Sequence, residues 1–182
     1  MDVVDKAIGV SLEKIGVHEA AELSVVCREI YAQHYLHLWF DAGEWYQQTR
    51  YNAATLATEL AEPNAEFYWV LLESQKVGYL KIVLHATPPE LPGYTANKAL
   101  EVERIYLDQK VTGMGVGRYV MDWVDRAAQR LKKHYVFLYS MDSSEAVKFY
   151  EKVGYQKAAT KRLPFEQMKP EYRGMYLMIK EL

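Results

Sequence analysis

The 182-residue sequence predicts an α/β (α+β) fold, a mixed sheet with helices on both faces, built as one domain. Three observations carry that prediction. Strand-like apolar runs and segments of helical spacing follow one another in the order β-α-α-β-β-β-α-β-α-β-β. All six prolines, Pro63, Pro88, Pro89, Pro92, Pro164 and Pro170, fall between these segments, so they punctuate the elements and break none. Half of the residues are hydrophobic, which lets a chain of this size bury a core without staples.

In order along the chain, 8–12 is a short apolar stretch that reads as a first strand. Leu23, Val26, Cys27, Ile30, Tyr31 and His34 recur at helical spacing and predict a helix over 18–34. Residues 35–51 read as irregular and aromatic, and Asn52 is a good N-cap for the short helix AATLATELAE, which Pro63 ends. The runs 67–73 and 77–85, separated by Ser74, Gln75 and Lys76, predict an antiparallel hairpin. A polar loop over 86–98 leads to a strand at 99–107. After the glycine turn TGMGVG at 112–117, Val116, Val120, Trp123, Val124, Ala127 and Leu131 mark the inner stripe of a long helix. A strand at 135–141 follows, then a helix at 144–153 closed by Gly154, and finally strands at 155–160 and 175–180.

Composition excludes several classes of function. The longest apolar run, 67–72, lies between Glu66 and Glu73, far short of the roughly 20 residues of a membrane-spanning helix. The N-terminal residues lack the basic-then-apolar layout of a secretory signal, so the expectation is a soluble, cytoplasmic protein. A net charge of −2 is too small to draw nucleic acid to the whole surface. The basic stretch Arg130, Lys132, Lys133 and His134 reads as a solvated helix terminus offsetting the helix dipole. Cys27, the one cysteine, cannot form an internal disulfide and reads as a buried hydrophobe. His34 and His37 stand three apart without a matched third ligand, which predicts no metal site.

The glycine turn is the most informative segment. Gly113, Gly115 and Gly117 leave main-chain amides uncovered at a helix N-terminus, where partial positive charge and free N–H groups bind phosphate. The spacing fits neither GxxxxGK[ST] nor GxGxxG, which weakens nucleoside triphosphate and dinucleotide readings. Upstream, Tyr31, Tyr35, Trp39, Phe40, Trp45, Tyr46 and Tyr51 are interleaved with Glu29, Asp41 and Glu44. That composition suits enclosing a cationic amine, and it equally suits covering a sheet edge or making a dimer contact.

Two motifs in this order resemble the GNAT acetyltransferase superfamily. Its pyrophosphate loop, [QR]xxGx[GA], places Gly115 at the invariant glycine and Gly117 at the final small residue, with Thr112 departing from the usual Gln or Arg. About 35 residues on, SSEAVKFYEKVGYQ (143–156) is similar to the family's NxxAxxxYxxxGF segment, with Ala146, Tyr150, Gly154 and Tyr155 in register and Ser143 in place of Asn. LEVERIYL (100–107) and MYLMIKEL (175–182) look like the PaiA-type polyamine acetyltransferases within it.

The resemblance implies a mostly antiparallel central sheet of about seven strands and acetyl-coenzyme A as co-substrate, with no metal. It implies that Thr112, Gly113, Met114, Gly115, Val116, Gly117 and Arg118 hold the pyrophosphate, with Ser143 and Ala146 nearby. Main-chain amides around Ile105, Tyr106 and Leu107 would grip the pantetheine arm, and Tyr150 would protonate the departing thiolate. The acceptor implied is a primary amine of a small molecule, polyamine-like; from the aromatic cluster, Tyr31, Tyr35 and Trp39 are the residues read as holding it, and fold analogy adds a homodimer. A lysine-like amine with a pKa near 10.4 is mostly protonated at pH 7, so a general base is needed. By strand alternation Glu101, Glu103, Ile105 and Leu107 share one face; Glu103, nearer the turn, is the first candidate and Glu101 the second. A non-catalytic acyl-coenzyme A-binding or partner-binding domain, or a peptide N-acetyltransferase, is the alternative function.

Overall fold

The computed structural model of the chain describes residues 9–182. Seven strands form one sheet in the order β1-β2-β3-β4-β5-β7-β6: β1 (Val10–Lys14), β2 (Ala65–Leu72), β3 (Gln75–Val83), β4 (Ala99–Leu107), β5 (Tyr135–Met141), β6 (Gln156–Arg162) and β7 (Gly174–Glu181). Only β4 and β5 pair in parallel; every other neighbour is antiparallel. Five helices cover the sheet: α1 (Ala20–His34), α2 (Glu44–Arg50), α3 (Ala53–Leu60), α4 (Val116–Arg130) and α5 (Ala146–Lys152). The mixed, mostly antiparallel sheet with helices on both faces matches the fold class read from the sequence. Ile8, the expected start of the first strand, lies outside the described residues.

Each face of the sheet closes its own core. Val116, Val120, Val124 and Ala128 of α4, one face of a 3.6-residue period, pack on Leu80, Ile82, Leu100 and Leu138 of the strands, with Val147 of α5 alongside. On the other face Leu23 and Cys27 of α1 and Leu56 of α3 meet Phe67, Trp69 and Tyr79. Strands β2 and β3 are buried on both sides, so they read as nearly unbroken apolar runs. Cys27 is buried as expected, and that burial pushes its thiol up to about 11.

Four local expectations change. The β2–β3 hairpin turns on Glu73 and Ser74, whose positive φ values of 49° and 67° make a tight two-residue turn, so β3 starts at Gln75. Residues 35–51 are not all irregular, since they contain α2. Leu131 is not on the inner stripe but is 47% exposed. Lys133, expected in solvent, is buried: its Nζ donates to the carbonyls of Ala96 and Asn97 and bonds His85 Nδ1 at 3.0 Å. It thereby ties the 86–98 loop to the end of α4, and burial lowers its pKa. The Asn52 cap forms as read, its side chain accepting from the Thr55 amide at 2.8 Å.

Candidate active site

The parallel β4–β5 ladder covers only four residue pairs, Ala99 with Tyr135 through Val102 with Leu138. Beyond it β4 follows β3 to Leu107 while β5 follows β7 to Met141, so the strands diverge. A cavity of about 320 Å³ opens there, with Ile105 and Tyr106 on one side and Leu138, Tyr139 and Ser140 on the other. Main-chain groups on the facing edge of 103–107 have no β5 partner. The Leu107 carbonyl is taken by His34 Nε2 at 2.9 Å, which gives that histidine a structural contact.

Chain geometry places the glycine turn just past β4. Gly113 and Gly115 have φ of 77° and 79°, values that cost an L side chain strain. A Cβ on Gly113 would meet nothing within 4 Å, whereas one on Gly117 would come 3.3 Å from Phe149 Cζ of α5. The Met114 amide donates to Val111 O. Among the described residues, the amides of Gly113, Gly115, Val116, Gly117 and Arg118 have no acceptor. Gly115 caps α4 without a side chain, so these donors and the positive helix end lie open together. An anionic pyrophosphate fits that cradle, and Thr112 and Arg118 flank it as exposed side chains.

A bulge in β4 overturns the predicted alternation. The β3–β4 register runs from Lys81 opposite Arg104 to Ile82 opposite Val102, which leaves Glu103 as an extra residue. Val102 and Ile105, three apart, therefore both pack toward α4, and Tyr106 faces the α1 side. Glu101 does not share a face with Ile105 and Leu107; it lies on the side of Arg104 and Tyr106. The two carboxylates consequently differ. Glu103 accepts from Lys81 Nζ at 2.7 Å and lies 3.3 Å from Arg104. Lys81 also donates to Glu59 at 2.8 Å, and Arg104 reaches Glu59 at 2.9 Å, so Glu103, itself exposed, is tied into an ionic network whose two cations are buried.

Glu101 has no hydrogen-bond partner among the described residues and lines the cavity. Burial, reinforced by the nearby Glu103 carboxylate and more weakly by Glu90, pushes it up to about 7 against the pull of Lys161 and Lys81.

Tyr150 of α5 lines the same cavity. Burial, with a contribution from Tyr35, holds its phenol well above the usual tyrosine range, so it stays protonated. Ala146 and Ser144 line the cavity too, the Ser144 hydroxyl accepting from the Ala146 amide at 3.1 Å. Ser143 is exposed and is not part of the lining.

Tyr31, Tyr35 and Trp39 are brought together as an aromatic wall, with Trp39 Nε1 donating to Tyr31 Oη at 2.7 Å. Of the other aromatics in that stretch, Tyr46 joins the wall, stacked 4.9 Å from Trp39; Tyr51 is buried behind it and Phe40 is 68% exposed. Glu29, Asp41 and Glu44 do not line the cavity. Arg50, Lys161, Phe165 and Met168 do, and sequence reading missed them. Arg50 follows Tyr46 by one turn of α2, a spacing that was legible. Phe165 and Met168 arrive through an isolated bridge of Trp39 to Met168, which leaves no local pattern.

A seven-stranded sheet that parts between β4 and β5, with Tyr150 and Glu101 lining the gap, is an arrangement that suits acyl transfer. The chain belongs to the GNAT family: the family model described as an acetyltransferase (GNAT) domain matches residues 63–157. An uncharacterised N-acetyltransferase encoded in the pepI 3′ region of Lactobacillus delbrueckii subsp. lactis is 24% identical over 149 residues, covering 80% of this chain and 84% of that protein. Among solved structures, the PaiA N-acetyltransferase of Thermoplasma acidophilum in complex with coenzyme A superposes with a TM-score of 0.73 at 15% identity, over 96% of this chain and 100% of that one. A probable acetyltransferase from Staphylococcus epidermidis gives 0.70 at 10% identity, over 94% and 98%. At these identities the structural likeness concerns the fold.

Proposed function

We propose that the protein transfers an acetyl group from acetyl-coenzyme A to a primary amine of a small molecule by direct attack, with Glu101 as general base and Tyr150 as general acid. The observation that carries this reading is that both groups line the one cavity that opens where β4 and β5 part. The turn amides of Gly113, Gly115, Val116, Gly117 and Arg118 would hold the pyrophosphate, and the unpaired edge of Ile105, Tyr106 and Leu107 would align the pantetheine arm. Acetyl-coenzyme A supplies an acyl group activated as a thioester.

Glu101 accepts the proton from the incoming ammonium, and a carboxylate poised near neutrality both takes and sheds a proton readily. Tyr150 holds a proton on its phenolic oxygen for the sulfur that leaves. Glu103, pinned by Lys81 and Arg104, supplies charge to its neighbour and is displaced as first candidate for the base. Tyr31, Tyr35, Trp39 and Tyr46 enclose the acceptor's body. Cytoplasmic action and a homodimer made through open sheet edges belong to the same proposal. Thiol release from acetyl-coenzyme A that requires an added amine tests the transfer; release that ignores the amine would count against it. Replacing Tyr150 by Phe should lower kcat by about 100-fold or more, and full turnover by that variant would remove the acid role.

A further inference from the structure

The charges that line the cavity bear on the acceptor's chemistry, on the footing of the transfer reading above. Five charged side chains reach it: Arg50, Glu101, Glu103, Arg104 and Lys161. Two are neutralised within the protein, Glu103 by Lys81 at 2.7 Å and Arg104 by Glu59 at 2.9 Å. Of the remaining three, Glu101 is the base. Arg50, exposed at the last position of α2, and Lys161 of β6 have no hydrogen-bond or carboxylate partner among the described residues. Lys161 Nζ instead stands 3.5 Å over the Tyr139 ring. An incoming molecule thus meets one free carboxylate and two free cations.

A polycation fits poorly here. Its second and third charges would approach Arg50 and Lys161, and like charges brought together at a binding site repel. The acids that would have welcomed it, Glu29, Asp41 and Glu44, lie off the cavity. We propose that the acceptor is an amine that also bears a carboxylate on an apolar or aromatic body, and that Arg50 and Lys161 set this specificity. The ammonium goes to Glu101, the carboxylate to the two cations, and the body packs on Tyr35, Tyr46 and Phe165.

A matched panel tests this. Phenylalanine, tyrosine, methionine and leucine are each assayed by thiol release against the amine left when the carboxylate is removed, with spermidine as the polycation. The carboxylated member should have the larger kcat/KM by about tenfold or more, as one charge-assisted contact provides. Arg50→Gln and Lys161→Gln should each shrink that ratio severalfold, and the double variant should abolish it while the KM for acetyl-coenzyme A holds. Decarboxylated amines or spermidine turning over as fast as the amino acids, or a ratio unmoved by the double variant, overturns the inference and leaves acyl transfer standing. Amine-dependent thiol release from no member of the panel overturns the transfer reading and this inference together.

Discussion

Glu101 is the residue whose chemistry depends most on its surroundings. With its pKa raised to about 7 by burial and by Glu103, it is half ionised near neutrality, so kcat/KM for an amine should rise with pH through an acidic limb near 7. Glu101→Gln should lose that limb and most of the rate, about 100-fold; an unchanged profile would remove the base role. Stability moves the other way. A carboxyl whose folded pKa lies above its unfolded value of about 4.5 binds its proton more tightly when folded. The stabilisation is complete below about 4.5 and is lost as pH rises through 7, so Tm of Glu101→Gln relative to the parent should increase from pH 5 to pH 8. Glu103→Gln, which removes the like charge, should shift the catalytic limb to lower pH.

The element on which the site depends most is the end of β4, and Gly78 of β3 controls where it runs. A Cβ built on Gly78 would fall 2.3 Å from the Tyr106 carbonyl oxygen and 3.0 Å from Leu107 Cα, both main-chain atoms that cannot swing aside. Gly78→Ala should therefore push β4 away from β3, destabilise the protein by about 1–3 kcal/mol, and lower Tm by about 2–4 °C for each of those. The same variant should weaken acetyl-coenzyme A binding, because the displaced segment 105–107 forms one wall of the gap; calorimetry with intact affinity would show that the wall is not used. Strand β4 also shows what sequence could and could not reveal. Its ends, 99–107, were legible as a largely apolar stretch between the polar loop 86–98 and the glycine turn. The bulge was not, since an extra residue at Glu103 is dictated by pairing with β3 and by the Lys81–Glu59 network, both remote in sequence. For that reason the glycine turn and the Tyr150 helix could be read locally, whereas the ranking of Glu101 against Glu103 could not. The aromatic wall was half legible: Tyr31, Tyr35 and Trp39 announce themselves, but Phe165 and Lys161 reach the cavity only because β6 and the loop after it fold back past α2.

At the scale of the molecule, the sheet is two antiparallel halves, β1–β4 and β5–β7–β6, joined directly by four residue pairs. A ligand that fills the divergence beyond Val102 and Leu138 while its anionic end caps α4 would bridge both halves, and it would bind only the folded chain. Acetyl-coenzyme A at about 100 times its Kd should then add about 2.7 kcal/mol of stability, raising Tm by roughly 5–10 °C for a protein of this size. The open amides of Gly113 and of 115–118 assign most of that gain to the pyrophosphate, so acetyl-pantetheine, which lacks it, should give a much smaller shift at equal concentration. Gly115→Ala puts a Cβ on a residue with φ of 79°, which strains the turn and misdirects its amides; its own Tm should fall by a few degrees, and its ligand-induced shift should collapse toward the acetyl-pantetheine value. Equal shifts for the two thioesters, or a full shift in Gly115→Ala, would mean that the turn is not where the anion binds and that the gap alone holds the ligand.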